Sequence, residues 1–203
     1  MSDQPEPSRG ENLLGQRIRA QRNQLDWTLE QTSQATSLAR STLSKIENGL
    51  MSPTYDALIK LAAGLKIDIS ELFEPHASIL GTGRRSICRK GTGQNHHTPH
   101  YEHTLLCNDL TNKDMIPFRT RIVARSFDDF EEWSRHVGEE FVYVLTGEIE
   151  LFTEFYEPVR LGPGDSWYID SRMGHRVISV GADEAEVLWI STTNPRTIRT
   201  ISI

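Results

Sequence analysis

Three side chains in the C-terminal half have residue types and spacing that suit a metal site. His136 and Glu140 stand four apart where "WSRHVGEEFVYVLTGE" passes from a polar link into an alternating apolar run, and His175 follows in "GPGDSWYIDSRMGHRVIS". Two imidazoles and one carboxylate from separate strands make one face around a divalent ion and leave its other positions open. That is the arrangement of non-haem iron sites, and the same donors suit Zn, Ni, Mn or Cu. Two residues before His136, where a further ligand would stand, the chain has Ser134. If Glu140 points inward on its strand, Val142 and Val144 share that face and make an apolar floor; His175, Val177 and Ser179 share an inward face on theirs. The other reading of the same groups is that they hydrogen-bond a small molecule or water directly. Ser134 is a candidate for the pocket around them, and Tyr101, His103, Phe118 and Trp133 are further candidates whose other reading is a core or surface place; Trp167 and Trp189 are expected to pack the core.

A second set suits nucleic acid. In "TLEQTSQATSLARSTLSKIENG" the residues Thr28–Ala35 read as a supporting helix, Thr36–Leu38 as a turn and Ala39–Glu47 as a second helix. When such a second helix lies in a DNA major groove, its first residues reach base edges. Arg40, Ser41, Thr42 and Lys45 project outward while Leu38, Leu43 and Ile46 face the core. Arginine pairs bidentately with guanine, Ser and Thr reach base or phosphate, and Lys positions on phosphate. Thr28, at the start of the supporting helix, offers its hydroxyl and backbone N–H to a phosphate, and Asn48 completes the DNA-facing set.

The elements that must hold these sets divide the chain in two. From Leu13 to Phe73 apolar residues recur at helical spacing, with Leu14 and Ile18 inside and Arg17, Arg19 and Arg22 outside. Thr28 with Gln31 forms a capping box, Gly49 ends the second helix, Ser52-Pro53 starts the next, and Asp68 caps a last one in "DISELF". Five short helices are expected. From Ile87 onward the period becomes two, in "FRTRIVARSF", "EEFVYVLTGEIELF", "SWYID", "HRVISV" and "AEVLWIS", separated by Gly, Pro and Asp. That pattern predicts an antiparallel sandwich or barrel. The fold class is therefore α + β: a helical domain over 11–74, a linker over 75–100 with a strand around "SICRK", and an all-β domain over 101–195.

Charge follows the same division. The whole chain carries a net charge of -6, yet residues 13–66 hold 7 basic and 4 acidic groups, and residues 126–203 hold 6 basic and 15 acidic. A mildly basic helical segment can meet DNA even in an acidic chain. The residues 76–100 hold four of the seven histidines at irregular spacing, which reads as a basic linker rather than a metal site. Cys88 and Cys107 make no disulfide framework, no apolar run approaches the ~20 residues of a membrane span, and "MSDQPEPSRG" has no signal-peptide core. A cytoplasmic location without a membrane partner is expected.

The helical segment resembles the lambda-repressor-like (xenobiotic-response-element type) helix-turn-helix family, through "STLSKIENG", "SPTYDALIKLAAGL" and "ISELF". The resemblance implies a five-helix domain, dimeric operator binding and transcriptional control. Thr32, Ser33 and Ser37 depart from it, standing where the family usually has Leu, Ala and a turn Gly. "HVGEEFVYVLTG" and "GPGDSWYIDSRMGH" resemble the two motifs of the cupin family, which implies a double-stranded β-helix barrel. Full cupin sites use three His and one Glu; here Ser134 takes the first His position, and Ser179 stands where Asn is frequent. The two domains in this order resemble bacterial transcriptional regulators whose barrel dimerises and senses a small metabolite. The expected partners are therefore an operator duplex, a small-molecule effector and a second copy, and the expected chain is not an enzyme. The alternative is a mononuclear non-haem iron oxygenase or epoxidase with this domain order, which also uses two His and one Glu.

Overall fold

The computed structural model describes residues 9–73, 83–111 and 113–192. The chain divides into two compact units, Met1–Arg84 with Asp109–Asn112, and Arg85–Asn108 with Lys113–Ile203.

Among the described residues, the first unit contains four α-helices, α1 (Arg9–Gln24), α2 (Leu29–Thr36), α3 (Arg40–Glu47) and α4 (Tyr55–Leu65). The fifth helix expected in "DISELF" is instead a single 3-10 turn, Ile69–Leu72. Asp68 and Glu71 cap each other reciprocally there, and the Phe73 N–H closes on the Ser70 carbonyl at 3.0 Å, a three-residue bond that keeps the turn tight. Ile18, Leu43, Ile46, Leu58, Leu61 and Leu72 form the core, each at most 1% exposed. Thr28 caps α2 through the expected box with Gln31.

The three departures from the family pattern are each accommodated. Thr32 is fully buried and returns its hydroxyl to the Thr28 carbonyl at 3.0 Å. The Ser33 hydroxyl donates to the Leu38 carbonyl at 2.6 Å, tying the end of α2 to the turn. Ser37 takes the left-handed conformation, φ 56 and ψ 25, which glycine adopts without cost. One expectation is corrected: Arg19 and Arg22 do not simply face solvent. Arg22 grips the buried Glu47 carboxylate with Nε at 2.7 Å and Nη2 at 2.9 Å, and Arg19 Nε adds a third bond at 3.1 Å. This ties α1 to the C-terminal end of α3.

Among the described residues, the second unit has nine antiparallel strands: β1 (Gln94–His97), β2 (Tyr101–Leu105), β3 (Met115–Ile122), β4 (Glu139–Thr146), β5 (Ile149–Thr153), β6 (Tyr156–Leu161), β7 (Ser166–Asp170), β8 (His175–Ser179) and β9 (Ala185–Thr192). They form a six-stranded sheet, β1-β2-β3-β9-β4-β7, and a three-stranded sheet, β6-β5-β8. β1 lies within the segment read as linker, and residues 83–93 contain no strand where one was expected near Cys88. "QNHH" has no strand propensity of its own; pairing with β2 makes it a strand.

The register lines Phe118, Trp189, Val142 and Trp167 into one inward row across β3, β9, β4 and β7, all at most 8% exposed. Tyr101 joins the two sheets: its hydroxyl donates to the Val177 carbonyl at 3.3 Å and accepts from the Val177 N–H at 3.2 Å. β8 was expected to bury alternate residues, but all five are buried. The two positions that break the alternation are Arg176 and Ile178, and the contacts of Arg176 account for the first. Its guanidinium lies against Phe127 and Trp133, 4.5 and 4.9 Å from their ring centroids, and donates to the Glu132 carbonyl. Trp133 thus packs on the outward side of β8.

Candidate metal centre and nucleic-acid interface

His136, Glu140 and His175 converge inside the second unit, with their nearest ligand atoms all within 4.8 Å of one another. Glu140 enters by alternation along β4, where Val142 and Val144 share its face and are fully buried. His136 precedes the strand in a loop held to the next one by two backbone bonds, His136 N–H to the Ser171 carbonyl and Ser171 N–H to the Gly138 carbonyl, each 3.0 Å. Gly138 makes that loop possible. It has φ +113, and a Cβ there would lie 1.9 Å from the Thr192 carbonyl oxygen. His175 opens β8 and bridges Ser134 across an isolated antiparallel pair. Paired residues of this kind put their side chains on one side, so Ser134 stands beside His175, outside the trio's own contacts.

The contacts within the trio define its chemistry. His136 Nε2 is 2.9 Å from Glu140 Oε1, and His175 Nε2 is 3.4 Å from Oε2. Ser191 Oγ donates to Oε1 at 3.2 Å, while Oε2 faces His175 Nε2 and the Trp189 indole also favours the ionised carboxylate. The Nδ1 atoms of His136 and His175 face the carbonyls of Val137 and Met173 at 3.3 and 2.9 Å. In the tautomer in which Nδ1 donates to these carbonyls, each Nε2 presents a lone pair to the carboxylate. Three lone-pair donors converging in a buried place require a cation among them, either protons on the imidazoles or a metal ion. Burial works to raise the Glu140 carboxyl; His175 and His136 work the other way, and the balance leaves it below its ordinary value. A carboxylate that stays ionised, two imidazoles with Nε2 inward and Nδ1 held by carbonyls fit a divalent metal. Zn, Fe, Ni and Mn are all compatible with this donor set.

The other pocket candidates lie deeper in the sheet. His103 is buried, with Nδ1 2.9 Å from Thr120 Oγ1. Burial, with His96 nearby, pushes it down to about 3, so it is neutral. Its ring packs 5.5 Å from Phe118 and 5.6 Å from Tyr101. Ser191 was missed from the sequence. Its signal was a hydroxyl on the inward side of β9, in line with Val187 and Trp189.

On the first unit, α3 presents Arg40, Ser41 and Lys45 to solvent, with Thr42 half-buried. Its N-cap is Ala39, which makes no side-chain cap bond, so the first N–H groups of α3 carry no side-chain acceptor from that residue. Asn48 is exposed but engaged, donating to the Ser44 carbonyl at 2.8 Å and accepting from Arg19 Nη2 at 2.6 Å. Thr28, expected to offer its backbone N–H and hydroxyl outward, directs both to Gln31 Oε1, at 2.8 and 3.0 Å. The capping box that starts α2 is the reason.

Residues 18–72 match the helix-turn-helix family model and residues 128–191 match the cupin domain model. No curated protein matches the chain. Among solved structures, a helix-turn-helix family transcriptional regulator from Vibrio cholerae is similar over 92% of this chain and 98% of its own, at 21% identity and a TM-score of 0.64. Hydroxypropylphosphonic acid epoxidase from S. wedmorenis is similar over 90% of this chain and 98% of its own, at 19% identity and a TM-score of 0.49. At these identities the likeness concerns the fold alone. No helix among the described residues is long and apolar enough to cross a membrane.

Proposed function

We propose that this chain, which joins a lambda-repressor-like helix-turn-helix domain to a cupin domain, is a sequence-specific DNA-binding transcriptional regulator whose barrel senses a small-molecule effector. The observation that carries the reading is α3. It exposes Arg40, Ser41 and Lys45 from a helix pinned at its far end by the Arg22–Glu47–Arg19 lock, so the exposed groups stand on a rigid support. Arg40 reads a base edge, Ser41 and Thr42 reach base or phosphate, and Lys45 neutralises phosphate. Thr28 and Asn48 reach the backbone only by exchanging their present partners. Two copies related by a two-fold axis place their reader helices about 34 Å apart, one DNA turn. Effector binding changes the affinity for DNA to the extent that it favours one arrangement of that dimer over another.

His136, Glu140 and His175 would hold the divalent ion in the barrel, and such an ion supplies open positions that bind and polarise an oxygen-bearing ligand. Ser134 leaves that side of the site less crowded than a fourth protein ligand would. The two-His, one-Glu trio also supports a second reading, a non-haem iron oxygenase. The intact reader helix favours the regulator, because catalysis in the barrel places no demand on exposed Arg40 and Lys45.

Selection of binding sites from random duplex DNA, followed by footprinting, tests the proposal. A pseudo-palindromic site is expected, and Arg40→Ala should weaken binding by about 1–3 kcal/mol and relax preference at one position of each half-site. If no sequence is enriched, or the footprint is unchanged in Arg40→Ala, the assignment of α3 fails.

A further inference from the structure

Residues 75–101 contain four basic residues and no acidic one, in a chain that holds 28 acidic groups among 203 residues. Three of the four, Arg85, Arg89 and Lys90, fall in the second unit rather than in a linker; the fourth, Arg84, donates to the Thr111 carbonyl at 2.6 Å. The stretch is built as a fixed turn. The Arg89 carbonyl accepts from the Thr92 N–H at 3.0 Å and from Thr92 Oγ1 at 2.8 Å. Lys90 and Gly91 make the corner, and Gly91 has φ +82, which glycine adopts freely at the third position of a turn. Gly93 then seats the chain on β2, where a Cβ would collide with the Thr104 methyl group, and β1 follows at once, paired with β2.

The cations on this turn differ from the others around them. Arg85, Arg89 and Lys90 are exposed, and their side chains make no ion pair or hydrogen bond among the described residues. Every other described cation of the second unit is engaged. Five arginines pair with carboxylates, Lys113 and Arg125 donate to carbonyls, and Arg176 lies on its aromatic bed. Three unmatched cations within six residues of chain therefore face solvent from a rigid support.

We infer that Arg85, Arg89 and Lys90 hold the phosphate backbone of the duplex that α3 reads, so that the second unit also grips DNA. Exposed cations strung along the chain suit a line of charges, and a duplex carries one per ~1.7 Å of its axis. Residues 126–203 hold 6 basic and 15 acidic groups, so the unit repels phosphate elsewhere. The chain sets the reach: twelve residues lead from Phe73 to Arg85, at most about 43 Å when extended, against about 34 Å for one DNA turn. Such contacts carry no sequence information; they add affinity and salt dependence. That the duplex is an operator rests on the regulator reading above; that these cations bind phosphate does not.

Arg85→Gln, Arg89→Gln and Lys90→Gln, combined in the full chain, test the contact. Binding to a random-sequence duplex, and to any site enriched by selection, is followed by fluorescence anisotropy against KCl. Each lost phosphate contact lowers the slope of log K against log salt by about 0.9. The triple variant should lose about 2–3 from that slope and bind at least about tenfold more weakly at about 0.1 M salt, while selection enriches the same sequence as for wild type. A control that removes three paired cations, Arg121→Gln with Arg160→Gln and Arg172→Gln, changes the net charge equally and should alter the slope by less than about 1. An unchanged slope in the triple variant, or an equal loss in the control, overturns the contact. So does capture of wild type by phosphatidylserine vesicles in preference to duplex, which would make the partner a membrane. An enriched sequence with an unchanged slope refutes the contact alone. A slope loss without an enriched sequence refutes the regulator alone, and a wild type that binds no duplex refutes both.

Discussion

Replacing Glu47 by Gln tests how α3 is held. Glu47 is 3% exposed and accepts three charged hydrogen bonds, two from Arg22 and one from Arg19. The amide keeps the shape but loses the charge, and it turns one acceptor into a donor facing Arg22. Breaking a fully buried pair costs about 3–5 kcal/mol. The Arg22 side chain is 14% exposed and that of Arg19 is 43% exposed, so both guanidinium groups recover part of their hydration. A loss of about 2–3 kcal/mol is expected, or roughly 10–20 °C in the melting of a helical unit of this size. The acid response adds a second readout. Burial works to raise the Glu47 carboxyl, but Arg22 and Arg19 overcome it and hold it below its unfolded value of 4.5. The stabilisation from this group is therefore complete above the unfolded value and is lost as pH falls through the folded one. Circular dichroism at 222 nm, followed against temperature at pH 7 and at pH 3, gives both quantities. Wild type should lose more stability between the two than Glu47→Gln. A cost below about 0.5 kcal/mol at pH 7, or equal acid loss in both proteins, would refute the lock.

Other consequences are narrower. Ser37→Gly relieves a left-handed serine and should stabilise the helical unit by about 1 kcal/mol in a thermal melt; a lower midpoint would show that Ser37 is not strained. Gly138→Ala combines the positive φ with a clash on the Thr192 carbonyl and should cost the β unit at least about 3 kcal/mol in urea unfolding; near-neutral behaviour would mean the loop has another conformation. His175→Ala should abolish binding of one Zn or Ni equivalent in calorimetry, whereas Ser134→His, beside His175, should tighten it. Equal metal binding in wild type and His175→Ala would remove the trio from the account.

The helical unit was legible because its signals are local. Thr28 with Gln31, Asp68 before its turn and the spacing of Leu43 and Ile46 act within one or two turns. The 3-10 turn at Ile69–Leu72 was overread as a helix, because a cap and two apolar residues look the same whether one turn follows or three. Arg22 and Glu47 were not seen as partners, since a separation of 25 residues leaves no pattern in the chain. In the β unit, alternation predicted the inward side of β4 correctly. It failed on β8, because Arg176 finds an aromatic bed supplied by Phe127 and Trp133 from a distant loop.

The sequence by itself determined the residue types, the two periodicities and the local caps, and with them a helical and a β unit, a short helix with basic and hydroxyl groups outward, and three candidate metal ligands. Only the tertiary structure decided which donors meet, because His136, Glu140 and His175 are joined by a loop lock and two strand ladders rather than by spacing. It alone separated the unmatched cations Arg85, Arg89 and Lys90 from the matched ones. Which arginine meets a carboxylate depends on strands brought together from distant stretches, a fact no single stretch encodes.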